Sequence, residues 1–170
     1  MTAPGSVTFR PMKVTDIDAI YAVQSDCYSG SYLETKATML SRLRASPDTV
    51  WVAEDESGVC AYLFGYRSFL GTVTCLGESF DIHTGANSLY LHDLAVSRRI
   101  AGHGIGSKLV QMALVSAKQA GMTFSSLVAL PSAREYWSRL GYRDFSPTEA
   151  AQRKHLASYP ETVCCMTKAL

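Results

Sequence analysis

The sequence predicts an α/β fold: a mixed antiparallel and parallel central sheet flanked by helices. Three observations predict it. Strand-length apolar runs interleave with helix-period segments along the 170 residues. Thr49–Asp55 and Gly58–Ser68 meet at an "ESG" turn, short enough only for antiparallel pairing. The strand–helix–strand unit from Leu89 to Leu130 needs a crossover, which sets two strands parallel.

The elements follow in order. "VTFRPM" (Val7 to Met12) reads as a first strand ended by Pro11. "TDIDAIYAVQSDCY" opens on a cap-like Thr15 or Asp16, and its Ile17, Ile20, Tyr21 and Gln24 spacing predicts a helix. Leu33 to Ser46 reads as a second helix, stopped before Pro47. The two strands around "ESG" come next. Phe69 to Ser88 reads mainly as a long loop with room for a hairpin. "SLYLHDLAV" (Ser88 to Val96) is a fourth strand, apolar on both faces at its end as a central strand is. A helix from about Ile105 to Ala120 carries a stripe of Ile105, Leu109, Met112, Ala113 and Ala117, and Gly121 stands at its C-terminal cap. "FSSLVAL" is a fifth strand, "SAREYWSRLG" a short helix closed by Gly141, and "ETVCCMTKAL" a final strand.

Composition narrows the classes. Hydrophobic residues make up 47% and charged ones 18%, enough for one domain over 1–170 with a real core. Sixteen Lys and Arg against fifteen Asp and Glu leave a net charge of +1, so no basic field recruits nucleic acid or an acidic membrane. Five cysteines show no CxxC or finger spacing, which argues against a metal site and for free core thiols in a reducing, cytoplasmic setting. "MTAPGSVTFR" lacks the apolar stretch of a signal peptide, and no run of 18 apolar residues spans a membrane.

The stretch "RRIAGHGIGSKLV" concentrates Gly102, Gly104 and Gly106 between a strand and a helix. It is not a P-loop, because no Gly-Lys pair precedes a hydroxyl residue. It is not a dinucleotide fingerprint, because Ser107 stands where the third glycine belongs. Two readings remain: a glycine-rich turn without a ligand, or an anion site on the free N–H groups of a helix start.

"LHDLAVSRRIAGHGIGSKLV" resembles motif A of the GCN5-related N-acetyltransferases, where a strand leads into Q/R-x-x-G-x-G/A and a helix. Counting eight residues on from Val96 puts the G-x-G pair at Gly104 and Gly106, with Ala101 departing from Q/R. The register Arg99-x-x-Gly102-x-Gly104 keeps the arginine but misplaces the helix. "SLVAL" followed by "AREYWSRLGY" resembles motif B, A-x-x-F-Y-x-x-x-G-F, and the opening and closing segments resemble the family's first strand and helix and its last strand.

The resemblance implies the GNAT fold, acetyl-CoA as co-substrate, no metal, and a small-molecule or peptide amine as acceptor; a homodimer is compatible with it. It implies that the fourth and fifth strands splay, freeing backbone at Leu94, Ala95 and Val96 for the pantetheine arm. The pyrophosphate would rest on Gly102, His103, Gly104, Ile105, Gly106 and Ser107, and Arg98 and Arg99 would either touch the phosphates or stay solvated. The amine would attack directly in a ternary complex. His92 and Asp93 are the candidate bases, sent by strand alternation to opposite faces. Trp137 stands where the family commonly has a tyrosine acid, and Tyr136 is turned roughly 100° away on the helix. His83 would border the acceptor cleft, and Asp26, Glu34 and Asp81 would favour a cationic acceptor. The rival reading is a non-catalytic acyl-CoA-binding or sensing module on the same fold.

Overall fold

The computed structural model describes residues 6–170; residues 1–5, the start of the segment read as lacking a leader, lie outside it. Seven strands and five helices follow in the order β1 (Thr8–Pro11), α1 (Ile17–Cys27), α2 (Lys36–Ala45), β2 (Val50–Asp55), β3 (Gly58–Ser68), β4 (Ser88–Val96), α3 (Ile105–Gln119), β5 (Phe124–Ala129), α4 (Arg134–Arg139), β6 (Arg143–Phe145), α5 (Ala150–Ala157) and β7 (Cys164–Ala169). The sheet order is β1-β2-β3-β4-β5-β7-β6. Every neighbouring pair is antiparallel except β4 and β5, joined by the α3 crossover. No helix among the described residues is long and apolar enough to cross a membrane.

Each face of the sheet buries one core. On one, Leu109, Val110, Ala113 and Ala117 of α3 and Trp137 of α4 pack on Ala61, Leu63, Leu89 and Leu91. Met112 is only half-buried, and Val110 is buried in its place. On the other, Ile20, Val23, Met39 and Leu43 of α1 and α2 pack on Val50, Val52, Tyr62, Phe64 and Tyr90. Thr35 caps α2 by accepting the Thr38 N–H at 3.1 Å, so this helix starts later than Leu33. Residues 69–87 hold no strand or helix, in keeping with the loop reading. The loop is nonetheless anchored: Val73 and Phe80 are buried, and Phe80 stacks on Tyr66 at 4.2 Å between centroids.

Two elements escape sequence reading. β6 is three residues long and is held only by β7. Helix α5 has no buried residue, so its sequence carries no apolar stripe.

Candidate active site

The parallel ladder between β4 and β5 runs from Ser88 opposite Phe124 to Leu91 opposite Leu127 and stops. Beyond it β5 stays with β7 up to Ala129, while β4 stays with β3 up to Val96. The two strands therefore part, and a wedge opens along Leu94, Ala95 and Val96. Two acceptors on this edge are already engaged. The Tyr28 hydroxyl lies 3.0 Å from both the Leu94 carbonyl and Asp93 Oδ1 and shares its one proton between them, and the Val96 carbonyl accepts the Cys27 thiol at 3.2 Å.

The glycine stretch lines one end of the wedge, in a groove of about 520 Å³ with Leu94, Val96, Ile105, Ser107 and Tyr136. Gly104, the residue capping α3, has φ +74°, a left-handed conformation open to glycine. Gly106 is bare for a different reason. A Cβ there would lie 3.1 Å from the Tyr136 hydroxyl and 3.3 Å from Val96 Cγ2, so glycine lets α3 close onto β4 and α4. No side chain caps α3, so its first N–H groups face the groove unclaimed within the helix. A wider depression of about 670 Å³ continues past Lys108, Lys118, Arg139 and Lys168. Gly106→Val should cost about 1–3 kcal/mol through overpacking, read as a lowered urea midpoint; an unchanged midpoint would show that α3 has slack there.

His103 is exposed, with Nδ1 3.2 Å from the carbonyls of Ile100 and Ala101. Arg99 turns away to a bidentate pair with Asp55 at 2.6 and 3.0 Å, and Arg98 is largely solvated.

At the other end of the wedge lies a cavity of about 160 Å³, bordered by Tyr28, Glu34, His92, Asp93, Leu94 and Trp137 among others. His92 and Asp93 both border it, which corrects the expectation of opposite faces. The ladder pairs Phe64 with Asp93 and Gly65 with Leu91, leaving His92 as the extra residue of a β-bulge. The bulge breaks the two-residue period and brings both side chains to one side.

The His92 side chain is 3% exposed. Its ring lies near Phe80 and Tyr90, at 5.4 and 6.3 Å between centroids. Nε2 stands 3.5 Å from Glu34 Oε1, at the outer limit of a hydrogen bond, and the buried Nδ1 has no partner among the described residues. Glu34 is itself held firmly. Its carboxylate meets the fully buried Arg42 and accepts the Gly77 N–H at 3.1 Å. Its backbone is clamped by Gln24 through bonds of 2.9 and 3.0 Å. Arg42 spends its other donors on the Glu78 carbonyl at 3.2 and 2.7 Å.

Burial works against the Glu34 charge, but His92 and Arg42 outweigh it and hold the carboxyl at about 2, below the usual 4.5. A carboxyl lowered in the folded state stabilises the fold fully above its unfolded value. That contribution is lost as pH falls from about 4.5 towards about 2. Urea midpoints measured across this window should fall more steeply for the parent than for Glu34→Gln; parallel curves would contradict the ion pair.

Asp93 differs. Burial pushes its carboxyl up, and the hydroxyls of Tyr62 at 2.6 Å and Tyr28 at 3.0 Å partly offset that. Both of its oxygens are thus engaged. Trp137 is 8% exposed and meets Tyr136 and Tyr142 edge-on. The Tyr136 hydroxyl sits 3.5 Å from Ser107 Oγ, and its ring borders both groove and cavity instead of turning away from them.

Of the three acids expected to favour a cation, only Glu34 borders the cavity. Asp26 accepts from Ser97 Oγ and the Arg98 N–H, and Asp81 faces His83 at 3.5 Å, both outside it. His83 does not border it either. Sequence reading missed Tyr28, Tyr32, Arg42 and Tyr159. Of these, Arg42 carried a signal, a basic residue three positions from Met39 and one from Leu43, on the apolar face of a helix. Among the described residues no group of three or more His, Cys, Asp or Glu is placed to hold a metal ion.

A parallel strand pair that splits beside a glycine-rich helix start defines the class: an acyl-CoA-type acyltransferase fold. The profile of the acetyltransferase (GNAT) family matches residues 17–142, and the chain belongs to that family. Membership supports acyl transfer from CoA as the activity at family level. No curated protein compared with the chain matches it in sequence. Solved structures do match. The GphF GNAT-like decarboxylase in complex with isobutyryl-CoA is similar at 18% identity and TM-score 0.74, covering 95% of this chain and 98% of that one. The ribosomal-protein-S18-alanine N-acetyltransferase from Escherichia coli is similar at 13% identity and TM-score 0.69, covering 96% and 94%. The PaiA N-acetyltransferase from Thermoplasma acidophilum in complex with coenzyme A is similar at 15% identity and TM-score 0.69, covering 97% and 99%.

Proposed function

We propose that the chain is a single-domain N-acetyltransferase in which an amine attacks acetyl-CoA directly in a ternary complex. One observation carries the reading: His92 borders the cavity where β4 and β5 part, with Nε2 beside the Glu34 carboxylate. His92 is the group at that cavity that takes the ammonium proton. An attacking amine near pKa 10 is mostly protonated at neutral pH, so this step matters. Asp93, with both oxygens occupied by tyrosines, supports the strand and leaves the base role to His92.

Bound acetyl-CoA supplies an activated acyl group on a good leaving thiolate. The groove fits it: bare backbone at Gly102 and Gly104, the open N–H groups of Ile105, Gly106 and Ser107, and cations at Lys108 and Arg139 for the phosphates. His103 stays a solvated flank. Because the Leu94 and Val96 carbonyls are engaged, the edge offers the pantetheine arm mainly N–H donors, and one of them polarises the thioester carbonyl. Trp137 has no acidic proton, so the departing thiolate is protonated by water or by the Tyr136 hydroxyl, which borders both groove and cavity.

The test is thiol release from acetyl-CoA with a panel of amines, beside calorimetry of CoA binding. Amine-dependent release supports transfer. Tight CoA binding without release by any amine would favour the non-catalytic binding module, the reading that Trp137 in place of a phenol also favours.

A further inference from the structure

Resting on the acyl-transfer reading, we infer that the acceptor is a compact primary monoamine with an aromatic or branched aliphatic body and no carboxylate or phosphate. The cavity walls carry this. Tyr28, Tyr32, Tyr159, Trp137, Leu76 and Leu130 give aromatic and apolar surface around Glu34 and His92. An ammonium is welcome there, since ring faces attract it.

An anionic substituent is not. No Lys or Arg is among the described residues bordering the cavity. The nearby Arg42 is fully buried and committed to Glu34 and the Glu78 carbonyl. A substrate carboxylate would lose its water without gaining a cation. Such a site discriminates by exclusion as much as by attraction.

Size and access point the same way. About 160 Å³ is the scale of a cavity that accepts one benzene-sized group. The walls are braced by segments tied together. The Val73 N–H donates to Gln152 Oε1 at 2.8 Å, and the hydroxyl of the wall residue Tyr159 donates to the Thr74 carbonyl at 2.9 Å. The hydroxyl of Tyr32, another wall residue, donates to Glu161 at 2.7 Å. Walls held in this way leave a polypeptide end little slack to widen the cavity.

The experiment compares matched pairs by acetyl-CoA thiol release: 2-phenylethylamine against phenylalanine, tyramine against tyrosine, and 3-methylbutylamine against leucine, with a hexapeptide bearing a free N-terminus. The expected result is kcat/KM at least about 100-fold higher for each amine than for its amino acid, and no turnover of the peptide. Leu76→Arg, which adds a cation to the wall, should narrow that ratio at least about tenfold. Amino acids or the peptide turned over as well as the amines would overturn the inference. Calorimetry of the same pairs with CoA present separates it from the reading beneath it. Preferential amine binding without thiol release keeps the acceptor class and overturns acyl transfer; equal or weaker amine binding overturns the acceptor class itself.

Discussion

His92→Gln is expected to lower amine-dependent thiol release by about 10²–10⁴-fold, the range of a lost general base, while CoA affinity stays within about twofold. The glutamine fills much of the ring's space between Phe80 and Tyr90 but cannot accept and hold the ammonium proton. Asp93→Asn should behave differently and keep most activity, because the Tyr28 and Tyr62 hydroxyls already occupy its oxygens. Full activity in His92→Gln would remove the imidazole from the reaction.

Arg42→Met is expected to destabilise the fold by about 3–5 kcal/mol, the usual cost of stripping one partner from a buried ion pair. The guanidinium is fully buried, and its loss strands the Glu34 carboxylate and the Glu78 carbonyl together. Loop 69–87 should loosen in the same variant, since Arg42 and Glu34 both anchor it, through Glu78 and Gly77. Urea unfolding gives the first quantity and amide hydrogen exchange the second. The double variant Arg42→Met with Glu34→Leu should recover part of the stability, because no charge is then stranded. An Arg42→Met protein within about 1 kcal/mol of the parent would mean that water reaches the pair.

The Gly106 position shows how sequence and structure divide the work. The order strand, glycines, helix was legible, because a helix start and a run of small residues are local features. Why each glycine is there was not. Gly104 serves a left-handed backbone, while Gly106 serves contact with Tyr136 and Val96, partners 30 and 10 residues away in the chain. The glycine loop could therefore be pointed to before its glycines could be told apart.

The cavity end was less legible. His92 and Asp93 stood out because they interrupt an apolar strand, yet alternation put them on opposite faces. The bulge opposite Phe64 and Gly65 reversed that, and a bulge belongs to a strand pair. Glu34 was visible as one acid among several; its contact with His92 joins residues 58 apart. Tyr159 follows a helix with no buried stripe, so nothing in its own segment marks it as a cavity wall.

By itself, the sequence determined the strand and helix order, the parallel crossover and the glycine-lined helix start, because periodicity and chain punctuation act between near neighbours. Tertiary structure alone decided that β4 and β5 part after Leu91, that His92 faces Glu34, and that no Lys or Arg among the described residues borders the cavity. Those outcomes depend on pairing register and on long-range burial, which arise only when distant segments meet.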